Sequence, residues 1–324
     1  MNKPNKSLII IVSGATATGK SDLSLKLSNH FNSQGHEFEI INFDSIQFYK
    51  ELDIGSAKPS ENEMKQLPHH LFNIKNVDEE MDASEFVSLA KPMIEDILSK
   101  NKIPVLVGGS AFYIRALVKG MAPSKPVSKE TRCQVEEIVN SEGSDGLIKR
   151  LNEVDPASTR DLHPNDIYRL SRALEHWIET GLPFSESKKE IEDPYDFSKN
   201  KFDDSVQILH FYCFIEKFKH WEIIEKRSQK MIEMGLIDEV KGLLKLYSKD
   251  LKSLSSIGYK QVIEYLDDPQ KANLEELIEK ISIATRRLAK SQKTFFNKVE
   301  PKIIVHPIDD LRQVLGKIQK ALDS

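Results

Sequence analysis

The chain has 324 residues, of which 39% are hydrophobic and 30% are charged, and its formal net charge is −4. That length allows a sizeable core and two domains, while the near-neutral charge excludes a protein that coats nucleic acid over its whole surface. The two cysteines, Cys133 and Cys213, match no metal or redox spacing, and the apolar run at residues 8–12 is too short for a signal peptide or a membrane span. We therefore expect a reduced, cytoplasmic protein without membrane contact.

The N-terminal third of the chain predicts strands that alternate with helices. Residues 8–12 are typical of a buried strand, residues 14–21 form a glycine-rich loop, and apolar residues recur at helical spacing over 23–31. A second strand is predicted at 39–43, where Asp44 ends it. Strand, loop and helix in this order form the first unit of a P-loop fold.

The next two elements continue this alternation. Residues 84–99 predict a helix with Ser84 as its N-cap, and residues 104–107 predict a third buried strand that ends at Gly108 and Gly109. Strands that alternate with helices imply an α/β fold with a doubly wound parallel sheet. Its functional site is expected at the carboxyl ends of the strands.

The character of the chain changes after Met121. Residues 122–130 predict a linker, residues 130–181 show helical periodicity without a strand pattern, and residues 206–215 alternate like a returning core strand. Further helices are predicted at 217–233, 236–247 and 273–297. We therefore expect a P-loop core at 1–120 and 204–324, interrupted by an all-helical insertion domain at 121–203.

The glycine-rich loop, GATATGKS at 14–21, matches the phosphate-binding pattern G-x-x-x-x-G-K-[ST]. In such a loop successive backbone N–H groups point at an anion, Lys20 supplies a charge to the outer phosphate, and the Ser21 hydroxyl can ligate Mg²⁺. A coincidental glycine-rich turn could match the same pattern. The predicted strand before the loop and helix after it favour a phosphate site.

Asp44, at the end of the second predicted strand, allows three interpretations. It could be a magnesium ligand of the Walker-B kind, which would indicate an ATPase or a kinase. It could be a general base, or it could cap the turn or helix that follows. The pattern alone leaves all three open.

Several longer motifs appear in order along the chain. They are G-x-T-A-x-G-K-[ST] at 14–21, D-S-x-x-x-Y-x-x-x-D-I-G-[TS]-A-K-P at 44–59, PHHL at 68–71, LVGGSAFY at 106–113, HPNDIYRLSRALE at 163–175, IGYKQ at 257–261 and ATRRLAKSQKTFF at 284–296. On these motifs the chain resembles the bacterial tRNA dimethylallyltransferases, also called tRNA isopentenyltransferases. An ordered series over most of the chain is far more specific than a phosphate loop alone.

The resemblance implies a transferase of the nucleotide-binding P-loop class and not a kinase. Its members move a dimethylallyl group from dimethylallyl diphosphate to N6 of the adenine just 3′ of the anticodon, in tRNAs that read U-starting codons. The phosphate loop would then hold the diphosphate that leaves, with Mg²⁺. The insertion would grip the tRNA anticodon stem–loop, and the enzyme would be a cytoplasmic monomer.

The resemblance also implies roles for particular residues. Asp44 would be the general base, with Lys20 and Ser110 as further catalytic residues, and Ser21 would be the metal ligand. The diphosphate-binding residues would be Gly14, Thr16, Ala17, Thr18, Gly19, Lys20, Ser21 and Arg227. The tRNA-binding residues would be Asp44, Ser45, Ile46, Gln47, Ser110, Arg132, Tyr168, Arg169, Leu170, Ser171, Arg172, Ser255, Ser256, Ile257, Gly258, Tyr259, Lys260 and Arg286.

Compared with the family pattern, Ala15 replaces a proline and Ser110 a threonine, and a further departure lies on one helix. The family pattern R-x-x-L-Y-x-R-I-x-x-R corresponds to residues 217–227, where Lys217 replaces the first arginine, Ile223 replaces the second and only Arg227 remains. The second arginine is one that the family uses near the diphosphate. Its replacement puts the full set of diphosphate contacts in question.

The motif ATRRLAKSQKTFF places Arg286, Lys290 and Lys293 on one helix face, with two phenylalanines after them. The spacing alone favours an ordinary amphipathic helix whose aromatic residues are core, whereas the resemblance favours phosphate contacts near the substrate channel. The histidines His69, His70 and His163 have no third ligand at metal spacing, so we interpret them as structural.

Three rival functions share some of these features. A P-loop small-molecule kinase or NTPase has the same loop and a similar aspartate-ended strand. A transferase with the same chemistry could use a free adenine nucleotide, although a mononucleotide needs no helical insertion. A catalytically weakened RNA-binding paralogue agrees with Ile223 but not with the intact Lys20, Ser21 and Asp44.

Overall fold

The structure is a computed structural model that describes residues 7–121, 127–187, 193–202, 205–268 and 273–323. The chain divides into two compact units. The first, which we call the core unit, comprises 1–118 and 195–324, and the second, the helical unit, comprises 119–194. No described helix is long and apolar enough to cross a membrane.

The core unit is built on a six-stranded sheet in which every neighbouring pair is parallel. Its strands are β1 (Ser7–Gly14), β2 (Phe38–Asn42), β3 (His69–His70), β4 (Ile103–Gly108), β5 (Val206–Cys213) and β6 (Ile303–Val305), in the spatial order β3-β2-β4-β1-β5-β6. Ile10 of β1 lies in register with Val105 of β4 on one side and Leu209 of β5 on the other. The α/β parallel fold predicted from the sequence is confirmed.

Thirteen described α-helices and a short 3-10 helix at Ser253–Ser255 complete the structure. Those before the helical unit are α1 (Lys20–Asn32), α2 (Glu61–Gln66), α3 (Ala83–Ser99) and α4 (Ala111–Lys119). The next four are α5 (Lys129–Val154), α6 (Pro156–Asp161), α7 (Ile167–Thr180) and α8 (Phe184–Ser187). The last five are α9 (Lys217–Glu233), α10 (Leu236–Leu243), α11 (Tyr259–Asp267), α12 (Leu274–Phe296) and α13 (Leu311–Leu322).

Helices cover both faces of the sheet, and β1 shows how its residues divide between them. Ile9 and Ile11 pack into one apolar cluster with α3 and α12 residues, whereas Leu8, Ile10 and Val12 pack into a second cluster with α1 and α13 residues. Because side chains alternate along a strand, both faces of β1 must be apolar to be covered in this way. The uninterrupted run of hydrophobic residues in β1 is the result.

The helical unit has an apolar core of its own. Leu147 and Leu151 of α5 pack with Leu170 and Leu174 of α7, and all four are buried. Asp155, also buried, accepts hydrogen bonds from the backbone N–H and hydroxyl groups of Ser158 and Ser185, so its carboxylate is fully paired.

Several predicted boundaries were wrong. Helix α3 begins at Ala83, and its N-cap is Asp82, whose carboxylate accepts the backbone N–H of Glu85; Ser84 lies in the first turn. Helix α10 ends at Leu243 and not at residue 247.

Some elements were not predicted at all. Strands β3 and β6 were missed because they have only two and three residues, which is too short to show periodicity. Helices α11 and α13 were also missed; α11 is rich in β-branched and aromatic residues, which have weak helix propensity, and the sequence of α13 is interrupted by Gly316.

Candidate active site

The candidate site lies where β1, β2 and β4 end. These parallel strands are neighbours, so the loops that follow them meet at one edge of the sheet. The phosphate loop follows β1, Asp44 follows β2, and Gly109 and Ser110 follow β4. The topology therefore gathers residues that are more than sixty positions apart in the chain.

The phosphate loop is tightly wound. Ala17 and Gly19 have positive φ angles of 63° and 79°, and the Thr18 hydroxyl donates to the Ala15 carbonyl at 2.8 Å. A Cβ added at Gly14 would lie 2.7 Å from the Cys213 carbonyl oxygen, so the loop begins in a close approach to β5 that only glycine permits. Such a winding turns backbone N–H groups toward a common centre, which is an anion-binding geometry.

Lys20 carries the charge of this loop. Its Nζ donates to the Ala15 carbonyl at 2.9 Å. Burial lowers the pKa of Lys20 to about 8, and the nearby Asp44 carboxylate opposes that shift. The lysine is thus a desolvated cation, which a bound anion would stabilise. Burial raises the pKa of the adjacent Cys213 thiol to about 12, so that thiol stays protonated and unreactive.

Side chains from α9 and α12 hold Thr16, in the middle of the phosphate loop. Gln292 Oε1 accepts the Thr16 N–H at 2.8 Å, His220 Nε2 donates to the Thr16 carbonyl at 2.8 Å, and Arg227 Nη1 lies 3.4 Å from the Thr16 hydroxyl. Burial lowers the pKa of both His220 and Arg227, and Asp44 opposes the shift of the arginine. Sequence reasoning named Arg227 but missed His220 and Gln292. Gln292 lay inside a quoted motif, whereas nothing in the pattern pointed to His220.

Asp44 is half-buried and begins a turn. Its Oδ1 accepts the Ile46 N–H at 3.1 Å, and its own N–H donates to Asn42 Oδ1 at 2.8 Å. Its Oδ2 has no hydrogen-bond partner among the residues that the structure describes. Next to it, the Ser45 N–H donates to the Ser110 hydroxyl at 3.0 Å. One carboxylate oxygen thus caps the turn, and the other is available to a proton donor.

The segment that follows Asp44 is clamped by α10 and α11. The Glu239 carboxylate accepts the N–H groups of Ile54 at 2.8 Å and Gly55 at 3.3 Å, and it accepts the Tyr259 hydroxyl at 2.7 Å. A Cβ at Gly55 would lie 2.4 Å from the Tyr259 ring. Gln47 ties the start of this segment to its end, because its Nε2 donates to the carbonyls of Ser56 and Ala57, each at 3.1 Å.

Tyr259 was expected to contact tRNA, but its side chain is fully buried and its hydroxyl is bonded to Glu239. Burial and the Glu239 carboxylate raise its pKa. Of its predicted neighbours, Ser255 and Lys260 are exposed, Ser256 and Ile257 are half-buried, and Gly258 is buried.

The predicted tRNA contacts in the helical unit face different ways. Tyr168 and Arg169 are exposed, and Arg169 lies 3.4 Å from Asp166. Leu170 is fully buried in the core of this unit, so its side chain presents nothing to RNA. Ser171 and Arg172 are half-buried, and Arg172 pairs with Glu175 at 2.7 Å. Arg132 is exposed on α5.

Arg286 joins α12 to α9. Its Nη2 pairs with Glu225 at 3.2 Å, and its guanidinium lies 5.2 Å from the centre of the Trp221 ring. Lys217 Nζ lies 4.7 Å from the centre of the same ring.

Ile223, which replaces the second arginine of the family pattern, is half-buried on α9. Its neighbour Ile224 packs against Ala15 of the phosphate loop.

Of the remaining basic side chains on α12, Arg287 and Lys290 are exposed and Lys293 lies over the Phe214 ring at 4.6 Å. Phe296 is a core residue. Helix α12 therefore has both features predicted for it: a basic exposed face and an aromatic residue in the core.

The three histidines that we interpreted as structural each have a hydrogen-bond partner within the protein. His69 Nδ1 lies 2.9 Å from the Leu67 carbonyl, His70 Nε2 lies 2.7 Å from Glu39, and His163 Nδ1 accepts the Asn165 N–H at 3.1 Å. Among the described residues there is no group of three histidine, cysteine or acidic side chains placed to hold a metal ion.

Fold and site together define a P-loop α/β protein in which a carboxylate that follows a nearby strand lies close to the phosphate loop. The sequence model of the family described as IPP transferase matches residues 47–299. The chain is 38% identical to a tRNA dimethylallyltransferase of Geobacter sulfurreducens, over 91% of this chain and 90% of that protein. A second relative from Thermotoga neapolitana, with the same name, is 38% identical over 90% of this chain and 89% of its own. The chain therefore belongs to the tRNA dimethylallyltransferase family.

Two solved structures agree with this assignment. The chain is similar to the full-length tRNA isopentenylpyrophosphate transferase of Bacillus halodurans, with a TM-score of 0.66 and 31% identity over 98% of this chain and 97% of that one. It is also similar to a eukaryotic dimethylallyltransferase acting on tRNA, with a TM-score of 0.78 and 27% identity over 98% of this chain and 78% of that one.

Proposed function

We propose that this protein transfers a dimethylallyl group from dimethylallyl diphosphate to N6 of the adenine just 3′ of the anticodon, in tRNAs that read U-starting codons, and releases diphosphate. The observation that carries the proposal is that the half-buried cations Lys20 and Arg227 both interact electrostatically with Asp44, whose Oδ2 has no hydrogen-bond partner among the described residues. The two cations suit a departing anion, and the Asp44 carboxylate suits a nucleophile that must lose a proton.

The phosphate loop stabilises the leaving group. As the allylic C1–O bond breaks, negative charge develops on the diphosphate. We assign Lys20 Nζ, Arg227 and N–H groups of the loop to stabilise this charge, because preorganised donors are worth most where water is excluded. When an anion binds, it competes with the Ala15 carbonyl for the Lys20 ammonium.

Asp44 acts on the adenine that accepts the dimethylallyl group. The exocyclic amine of adenine is a weak nucleophile because its lone pair is conjugated with the ring. As the N6–C1 bond forms, Asp44 Oδ2 takes the N6 proton, while Oδ1 stays bonded to the Ile46 N–H and keeps the carboxylate oriented. The Ser110 hydroxyl holds the adjacent peptide through Ser45.

The residues present fit Mg²⁺, which would add positive charge against the leaving diphosphate. Magnesium prefers oxygen ligands and usually keeps several waters beside one or two protein groups and substrate phosphates. Ser21 is exposed at the first turn of α1 and offers a hydroxyl oxygen. We assign Ser21 as the protein ligand.

The helical unit is proposed to bind the anticodon stem–loop. The target base must leave its stack, and the unstacking energy of a few kcal/mol has to be recovered by protein contacts. Tyr168 offers an exposed ring for stacking, and Arg169 and Arg132 offer charges to phosphates.

A single-turnover assay tests the function. The protein is mixed with radiolabelled dimethylallyl diphosphate, Mg²⁺ and unmodified tRNA, and the tRNA is digested to nucleosides. Label in N6-dimethylallyl-adenosine is the expected result, and a tRNA with guanine at the target position is the control. RNA binding without label would indicate the catalytically weakened paralogue. No label, together with transfer of the ATP γ-phosphate in a separate assay with ATP, would indicate the kinase.

A further inference from the structure

One buried side chain connects the two halves of the site. Gln292, on α12, is the residue whose amide bonds the phosphate loop through Oε1 and the loop after β4 through Nε2. We propose that Gln292 is a positioning residue that couples the donor loop to the acceptor loop, so that binding of the allylic diphosphate raises the affinity for tRNA. This inference rests on the proposed function, since it takes the phosphate loop to hold the diphosphate and Asp44 to face the adenine.

Both the oxygen and the nitrogen of the Gln292 amide make a hydrogen bond. Oε1 accepts the Thr16 N–H at 2.8 Å, and Nε2 donates to the Gly109 carbonyl at 2.9 Å. A Cβ added at Gly109 would lie 2.5 Å from this Nε2 and 3.2 Å from the Gly14 carbonyl oxygen. The two loops and the amide therefore meet at a point where any side chain at position 109 would push them apart.

The contact continues to Asp44. Ser110 follows Gly109, its hydroxyl accepts the Ser45 N–H at 3.0 Å, and Ser45 follows Asp44. Three hydrogen bonds thus lead from the middle of the phosphate loop to the peptide beside the proposed base. A shift of Thr16 when the loop closes on a diphosphate would be transmitted by the amide to Gly109 and onward to Asp44.

The helix that carries Gln292 does not need the amide for its own attachment. Leu277, Ile281 and Phe296 of α12 are buried in the main core, and Ala289 packs against the phosphate loop with Ile224. Gln292 therefore joins two loops to an element that is fixed elsewhere. Coupling of this kind requires a demonstrated energetic effect in addition to the geometry.

The test measures the affinity for a synthetic anticodon stem–loop RNA, with and without the unreactive donor analogue dimethylallyl S-thiolodiphosphate. The ratio of the two dissociation constants is the coupling factor, typically about 5–150-fold for coupled sites. In Gln292→Met, which keeps the length of the side chain but loses both hydrogen bonds, we expect the factor to fall to about 1 while the affinity for RNA alone stays within about threefold. Ser282→Ala is the matched control, because the Ser282 side chain is buried on the same helix but its hydroxyl donates only to the Ile278 carbonyl; it should keep the wild-type factor.

A wild-type factor of 1, or an unchanged factor in Gln292→Met, would overturn the coupling role. If a thermal melt shows that Gln292→Met is unfolded, Gln292→Glu carries the same test, since it keeps an acceptor for Thr16 but has no N–H for Gly109. The product assay on the wild-type protein reports the function separately. A wild type that prenylates adenine and an unaltered coupling factor in the variant would overturn the role of Gln292 alone.

Discussion

The two units of this protein differ in how sequence neighbours relate to function. In the core unit, Thr16, Asp44 and Ser110 come from three separate loops, yet the parallel sheet brings them to one edge. In the helical unit, five consecutive predicted residues at 168–172 divide between the surface and the core. Residues of a functional motif at strand ends can therefore be assigned to a site as a group, whereas those of a motif on a helix must first be divided by the helical period into exposed and buried positions.

The largest expected effect concerns the acceptor side of the core unit. Asp44→Asn should lower the single-turnover rate by about 10²–10⁴-fold, because the amide cannot take the N6 proton but can still accept the Ile46 N–H. The affinity for tRNA should stay within a few-fold. Glu51→Gln, an exposed carboxylate on the same segment, is the control and should leave the rate unchanged. Near-normal turnover by Asp44→Asn would show that another group is the base.

Two substitutions in the helical unit should separate its core from its RNA-facing surface. Leu170→Ala should lower the free energy of unfolding by about 2–5 kcal/mol, because it opens a cavity among Leu147, Leu151 and Leu174. Tyr168→Ala, two residues away and exposed, should change it by less than about 0.5 kcal/mol but should weaken RNA binding. Urea denaturation and RNA titration of both variants provide the measurements. Weaker binding by folded Leu170→Ala, with Tyr168→Ala unaffected, would reverse the proposed division of the motif.

The donor side of the core unit should show a pH dependence. Burial lowers the pKa of Lys20 to about 8, so the ammonium is charged below that pH and neutral above it. A bound diphosphate favours the charged form, so binding above pH 8 takes up a proton and the dissociation constant should rise about tenfold per pH unit. Calorimetric titration with the thiolodiphosphate analogue measures this, and Lys20→Arg, which stays charged, should remove the dependence. A constant affinity of the wild type through this range would mean that Lys20 does not meet the anion.

Much of the core unit could be predicted from the sequence because its signals are local. The apolar run of β1 and the glycine pattern after it predict a buried strand and a tightly wound loop. The position of Asp44 beside that loop is also predictable, because parallel strands end at the same edge of the sheet. His220 and Gln292 could not be placed in this way, since their partner Thr16 is 204 and 276 residues away in the chain. Glu239 is likewise 185 and 184 residues away from Ile54 and Gly55, so only the packing of α10 and α11 reveals this contact.

The smallest expected effect concerns the arginines of the helical unit. Arg169 is exposed and only loosely paired with Asp166, whereas Arg172 is held at 2.7 Å by Glu175. If Arg169 contacts a tRNA phosphate, Arg169→Ala should reduce the slope of log affinity against log salt by about 0.7–0.9, and Arg172→Ala should reduce it less, because its charge is already partly neutralised. Arg150→Ala is the control, since Arg150 lies in the same unit, pairs with Glu142 and is not among the predicted contacts. An equal slope for Arg169→Ala and Arg150→Ala would make Arg169 an ordinary solvated residue and would leave Tyr168 as the part of this motif that faces RNA.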